Sequence, residues 1–210
     1  MKQIKLLTLI FISIALFSCS SDDDNTTSNT TSLETQFISN HHAPQTGGQG
    51  QPIGGDFAKF DFATGQSTTS DTEWDVAFRG TTIIINGGQS SGLNDEPIRT
   101  GDAAAYIATG TLNNINTVLP DSFAQDGDSG LAIPTGSDNG WYNYSGSPTF
   151  LITPLAGKVL VFRTRDGKYA KMEILSYYKD APANPDAFVN ESRYFTFNYV
   201  YQPDGSQTHF

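Results

Sequence analysis

KVLVFRTRDGKYAKMEILSYY, residues 158–178, is the stretch on which the fold turns. Two runs rich in β-branched and aromatic residues, Lys158 to Thr164 and Lys168 to Tyr178, flank Asp166-Gly167. Asp-Gly tolerates positive φ and suits a two-residue primed turn, so the two runs are expected to pair as a β-hairpin. Just downstream, Arg193 to Tyr201 alternates, with Phe195, Phe197, Tyr199 and Tyr201 on one face and Tyr194, Thr196, Asn198 and Val200 on the other. That period of two is the signature of a strand, and this one closes the fold.

Upstream the same grammar recurs. Thr81 to Asn86 is a β-branched run closed by Asn86-Gly87-Gly88, and Trp74, Val76 and Phe78 alternate so as to share one face. Phe57, Phe60 and Phe62 open another strand-like run that ends at Thr64-Gly65. Between Gly87 and about Pro148 the chain is rich in Gly, Asn, Asp and Ser, with short strand-like islands at Ala104–Ala108 and Asn114–Leu119. No stretch carries a sustained helical period with caps, apart from a turn near Pro185–Val189. The expected fold is all-β: an antiparallel sandwich or a barrel-like pair of sheets.

The chain ahead of this region reads differently. Lys2 and Lys5, an apolar run from Leu6 to Phe17 and a small Ser18 form the three parts of a secretory signal over residues 1–18. That run is about a dozen residues, short of the roughly 20 that span a bilayer. Cys19, the single cysteine, follows at once. Leu16-Phe17-Ser18-Cys19 resembles the bacterial lipobox, which implies that Cys19 is acylated and anchors the protein to a membrane; two or more acyl chains hold stably. Ser20-Ser21-Asp22-Asp23-Asp24 is similar to the surface-export signal of lipoproteins from Bacteroidetes-type bacteria. Residues 19–55, polar and poor in large apolar side chains, are expected to be a disordered tether, and residues 56–210 the folded domain.

Charge narrows the function. With the signal removed, Lys2 and Lys5 are lost but no acid, leaving 10 basic against 22 acidic side chains. Nucleic-acid phosphates would repel such a chain. With about 190 mature residues, one domain with a real hydrophobic core is the default.

Four motifs bear on chemistry. Gly88-Gln89-Ser90-Ser91-Gly92 satisfies G-x-S-x-G, but Leu93-Asn94-Asp95-Glu96-Pro97 is a poor opening for the helix that a nucleophile elbow requires. A Gly/Ser loop is the better reading, and no enzymatic activity is expected. Asp126-Gly127-Asp128-Ser129-Gly130 begins like a calcium loop, yet Ser137 stands where the twelfth-position glutamate belongs. His41-His42 has imidazole nitrogens for a metal, but falls in the tether, where nothing supplies a second ligand set. Trp141-Tyr142-Asn143-Tyr144 offers stacking surfaces for a flat ligand or a sugar ring; the competing reading is a strand whose aromatics fill the core.

Taken in order, these elements resemble the HmuY family, all-β surface lipoproteins of Bacteroidetes that bind haem and pass it to an outer-membrane receptor. The matching stretches are Trp74 to Phe78, the strand ending Asn86-Gly87-Gly88, Gly140-Trp141, Gly157 to Arg163, Asp166 to Glu173, and Tyr194 to Tyr201. The resemblance spans roughly residues 57–202. It implies an outer-membrane, lipid-anchored protein, displayed at the cell surface, that carries haem or a related flat hydrophobic ligand to an outer-membrane transporter. Trp141, Tyr142 and Tyr144 are the expected ligand-binding residues. The family's haem binders hold iron between two axial histidines or methionines, and this chain departs from that pattern. Ser145-Gly146-Ser147 stands where the second ligand belongs, and Gly110 to Gly136 contains no His, Met or Cys. Tyr142 or Tyr144 is a chemical substitute, since phenolate ligates ferric haem. The metal is therefore left unknown, and the alternative is a non-haem binding module, for a glycan or a transporter partner, on the same scaffold.

Overall fold

The computed structural model describes residues 32–210; the signal sequence and Cys19 lie outside them. Thirteen strands follow in chain order: β1 (Glu34–His42), β2 (Thr46–Gly48), β3 (Gln51–Gly54), β4 (Ala58–Asp61), β5 (Gln66–Thr68), β6 (Val76–Arg79), β7 (Thr82–Ile85), β8 (Ala104–Thr109), β9 (Tyr142–Tyr144), β10 (Ile152–Pro154), β11 (Lys158–Arg163), β12 (Tyr169–Tyr178) and β13 (Ser192–Gln202). Among the described residues there is no α-helix, only a 3-10 turn at Pro120–Ser122. The fold is all-β. A five-stranded antiparallel sheet of order β1-β13-β12-β11-β8 faces a four-stranded sheet of order β5-β4-β6-β7, and β2–β3 and β9–β10 are separate hairpins.

The core forms because strand periodicity sends one row of rings from each sheet inward. Phe195, Phe197, Tyr199 and Tyr201 of β13 meet Phe60, Phe62, Val76 and Phe78 of the small sheet. Phe60 and Phe197 stand edge to face with centroids 5.4 Å apart, and Phe78 lies 4.9 Å from Phe195. Each such pair contributes about 0.5–1.5 kcal/mol beyond the area it buries. The outer face of the large sheet is covered too. Val159, Val161 and Val200 pack with Tyr106 and Leu112, against Ile115 and Phe210. Lys171, buried on that face, donates Nζ to the Ile115 carbonyl oxygen (2.8 Å) and lies over the Phe210 ring; burial pulls its pKa down.

Several expectations need correction. The last part of the supposed tether is ordered: β1 pairs with β13 from Glu34↔Tyr201 to His42↔Tyr194, and β2–β3 form a hairpin. Most β1 side chains are exposed, so the strand is held by main-chain pairing to β13 rather than by an apolar face of its own. Residues 19–31 lie outside the described residues. Trp74 does not share a face with Val76 and Phe78. The strand begins only at Val76, and Trp74 packs on the far side of the small sheet with Phe57, Ala77 and Ile84. Asn114–Leu119 is loop, touching His209 only through a bridge at Thr117.

The hairpin of β11 and β12 forms as expected, but its turn is longer than two residues. Thr164 N donates to the Lys168 carbonyl oxygen (2.8 Å) and Gly167 N to that of Thr164 (3.1 Å), with Gly167 at φ 83°. Only Gly167 is left-handed, as in a three-residue hairpin loop. Arg165 at its tip reaches the small sheet, pairing with Asp61 (3.0 Å), Asp75 (3.2 Å) and Glu73 (2.7 Å). This network clamps the two sheets at one end. Tyr177, Tyr178 and Arg193 lie at the other end of the same strands.

Candidate functional site: an aromatic-rimmed cleft at the open end

At that unclamped end lies a cleft of about 610 Å³, within the range of small-molecule sites. The β2–β3 hairpin forms one wall with Gln45, Gly47 and Ile53, and Thr81 of the β6–β7 turn lies between the walls. Opposite stand Tyr144, Phe150 and Ile152 of the β9–β10 hairpin, and Tyr177, Tyr178 and Arg193 complete the lining from the ends of β12 and β13. A hollow of about 720 Å³ beneath residues 114–122 is larger but is lined by no charged side chain.

The rim is apolar and exposed. Tyr144 is 44% exposed and Phe150 42%, while Phe188, 74% exposed, lines a neighbouring hollow. The rings form a chain, Tyr144 to Phe150 at 6.5 Å and Phe150 to Phe188 at 5.7 Å. Folding leaves this surface unburied, although large side chains of this kind gain most from leaving water.

Polar groups sit below the rim. Arg193 donates to the Gln45 carbonyl oxygen (2.8 Å) and stands beside the Tyr177 hydroxyl. Burial drives the Tyr177 pKa up, against the pull of Arg193. The Tyr178 hydroxyl accepts the Ile152 amide (3.0 Å). Arg193 pairs with no carboxylate among the described residues. Two bulky lining residues hold left-handed backbone, Phe150 at φ 51° and Arg193 at φ 71°. Such conformations cost about 1–3 kcal/mol each and cluster at ligand sites.

Of the three aromatic residues singled out by sequence, only Tyr144 lines the cleft. Trp141 (2% exposed) and Tyr142 (8%) join the main core. This corrects the expectation that all three present rings to a ligand: alternation along β9 turns Tyr142 inward, and the indole N–H of Trp141 is taken by the Thr81 carbonyl oxygen (2.9 Å). Phe150, Phe188 and Arg193 were not foreseen. Phe150 and Phe188 are single aromatics in loops without period, and Arg193 reads as the first residue of a strand.

The other motifs resolve into structure. Ser90 Oγ accepts the Gly92 amide, and no helix follows. Asp126 is buried and used up, accepting the Ile85 and Ala132 amides and pairing with Arg99. His41 and His42 are not an unstructured pair: both belong to β1. His41 is buried against Phe78, and His42 stacks on Tyr194 at 4.3 Å and lines a different hollow.

Comparison with known proteins now decides the family. A family model described as HmuY protein matches residues 55–199. The chain belongs to the HmuY family. Among solved structures, the apo HmuY analog of Tannerella forsythia is similar, with a TM-score of 0.50 at 14% identity, covering 84% of this chain and 100% of that one. A Bacteroides vulgatus protein described as a candidate HmuY-like heme binding protein has a TM-score of 0.48 at 16% identity, covering 82% and 93%. A candidate lipoprotein of Bacteroides fragilis has 0.43 at 17%, covering 82% and 90%. At such identities the likeness is one of fold. No curated protein matches the chain significantly.

Membership in the HmuY family raises the question of haem, and the cleft does not offer the paired iron ligands that the resemblance implies. No His, Met or Cys lines it. Ser145, at the expected ligand position, has its hydroxyl engaged with Thr149 Oγ1 and the Leu151 amide, and Met172 is buried in the core.

Proposed function

We propose that this HmuY-family protein is a lipoprotein, anchored through Cys19 to the outer membrane at the cell surface, that takes a haem-like, flat hydrophobic ligand into the cleft between the β2–β3 and β9–β10 hairpins for delivery to an outer-membrane transporter. The observation that carries this reading is the pair of exposed rings Tyr144 and Phe150, extended by Phe188 packed on Phe150, lining a cleft that also holds the cationic Arg193. Flat aromatic ligands bury large area against such rings, and a guanidinium is suited to a carboxylate at the ligand's edge.

A haem titration followed in the Soret band tests it. Binding at a one-to-one ratio that weakens at least tenfold in Phe150→Ala supports the reading. An unchanged Soret band at saturating protein contradicts it and favours the glycan or transporter-partner alternative.

A further inference from the structure

We propose that the cleft recognises its ligand by the apolar face and the carboxylate edge and not by the metal, so that an iron-free tetrapyrrole bearing carboxylates binds as well as haem does. This rests on the reading above and specifies the ligand class. Of the side chains that ligate haem iron, histidine, cysteine, methionine and tyrosine, the cleft is lined only by tyrosines. Tyr178 Oη already accepts the Ile152 amide. Tyr177 is buried and held in its protonated form, whereas an iron ligand would have to be a phenolate. Tyr144 lies on the exposed rim, packed toward Phe150.

What the cleft does provide is metal-blind. Aromatic rings contact a π-face whether or not its centre holds iron. The Arg193 fork forms charge-assisted bonds to a carboxylate, and arginine carries five N–H donors, enough to serve a ligand as well as Gln45 and Tyr177. Arg193, at φ 71°, and Phe150, at φ 51°, line one and the same cleft, where a ligand with a flat body and an acidic edge meets both.

The test measures dissociation constants of the protein for haem and for iron-free protoporphyrin by fluorescence quenching, with the absorption spectrum of the haem complex recorded alongside. The expected result is that the two constants agree within about threefold and that Arg193→Met weakens both by about tenfold, while His42→Ala, a change outside the cleft, weakens neither. A larger preference for haem, or a six-coordinate low-spin spectrum, overturns metal-blind recognition and leaves the carrier reading standing. Binding of neither tetrapyrrole overturns both. Because the haem comparison uses the unaltered protein, it decides even if a variant misfolds.

Discussion

The indole nitrogen of Trp141 donates to the Thr81 carbonyl oxygen across 2.9 Å, linking positions 60 residues apart. Through this bond the β9–β10 hairpin, which carries Tyr144 and Phe150, is fixed to the β6–β7 turn, whose Thr81 lies in the cleft. Trp141→Phe keeps most of the packing but leaves that oxygen without its donor. A loss of about 2 kcal/mol follows, visible as a lower urea midpoint with an unchanged slope; a midpoint equal to that of the parent removes the bond from the account.

Gly140, one residue earlier, is required by close approach rather than by its φ. A Cβ placed there would stand 2.1 Å from the Pro134 carbonyl oxygen, a main-chain atom with no easy way to yield. Gly140→Ala is expected to cost about 3 kcal/mol through forced backbone shifts and to disturb the near-ultraviolet signal of Trp141. Unaltered stability would show that the 134–140 loop gives way freely.

The Arg165 clamp should obey the asymmetry of buried ion pairs. Asp61 and Asp75 are buried, whereas Glu73 is largely exposed. Asp75, whose pKa burial drives upward, also accepts the Phe62 and Arg165 amides. Arg165→Met strands these carboxylates and is expected to cost about 3–5 kcal/mol, while Glu73→Gln costs less than about 1 kcal/mol. Equal losses in the two variants, by chemical denaturation, would refute the assignment.

How far the sequence was legible depends on what each side chain does. The β11–β12 hairpin and β13 could be read because alternation, burial and turn residues all agree there. β1 could not, because its side chains mostly face solvent and its order comes from hydrogen bonds to β13, a partner more than 150 residues away. Trp74 misled because apolar alternation runs two residues ahead of the strand, which begins at Val76, and cannot mark where pairing begins. In the site, Tyr144 was legible as part of an aromatic cluster. Phe150 and Arg193 were not, because the left-handed backbone that aims them is imposed by the closure of the hairpin and the start of β13, and neither residue type advertises it.

His41 gives the fold a pH dependence. Burial, opposed by the Ala58 backbone and helped by a smaller contribution from His42, pulls its pKa from 6.5 to about 4. The folded state therefore binds the proton less readily than the unfolded chain. The stability is fully present above pH 6.5, falls as pH drops from there towards 4, and the loss levels off below that. The shift corresponds to about 3 kcal/mol. Comparing the parent with His41→Phe by urea denaturation across this interval isolates the effect from carboxylate titration. The variant should lose the excess slope, and identical slopes would deny His41 the role.

Hydrogen exchange with and without bound haem locates the ligand on the fold irrespective of how the iron is held. Added protection should fall on residues 45–53, 144–152 and 192–193, which wall the cleft. Protection confined to the loop at 110–122, or to no segment although the Soret band shifts, would contradict the placement of the site.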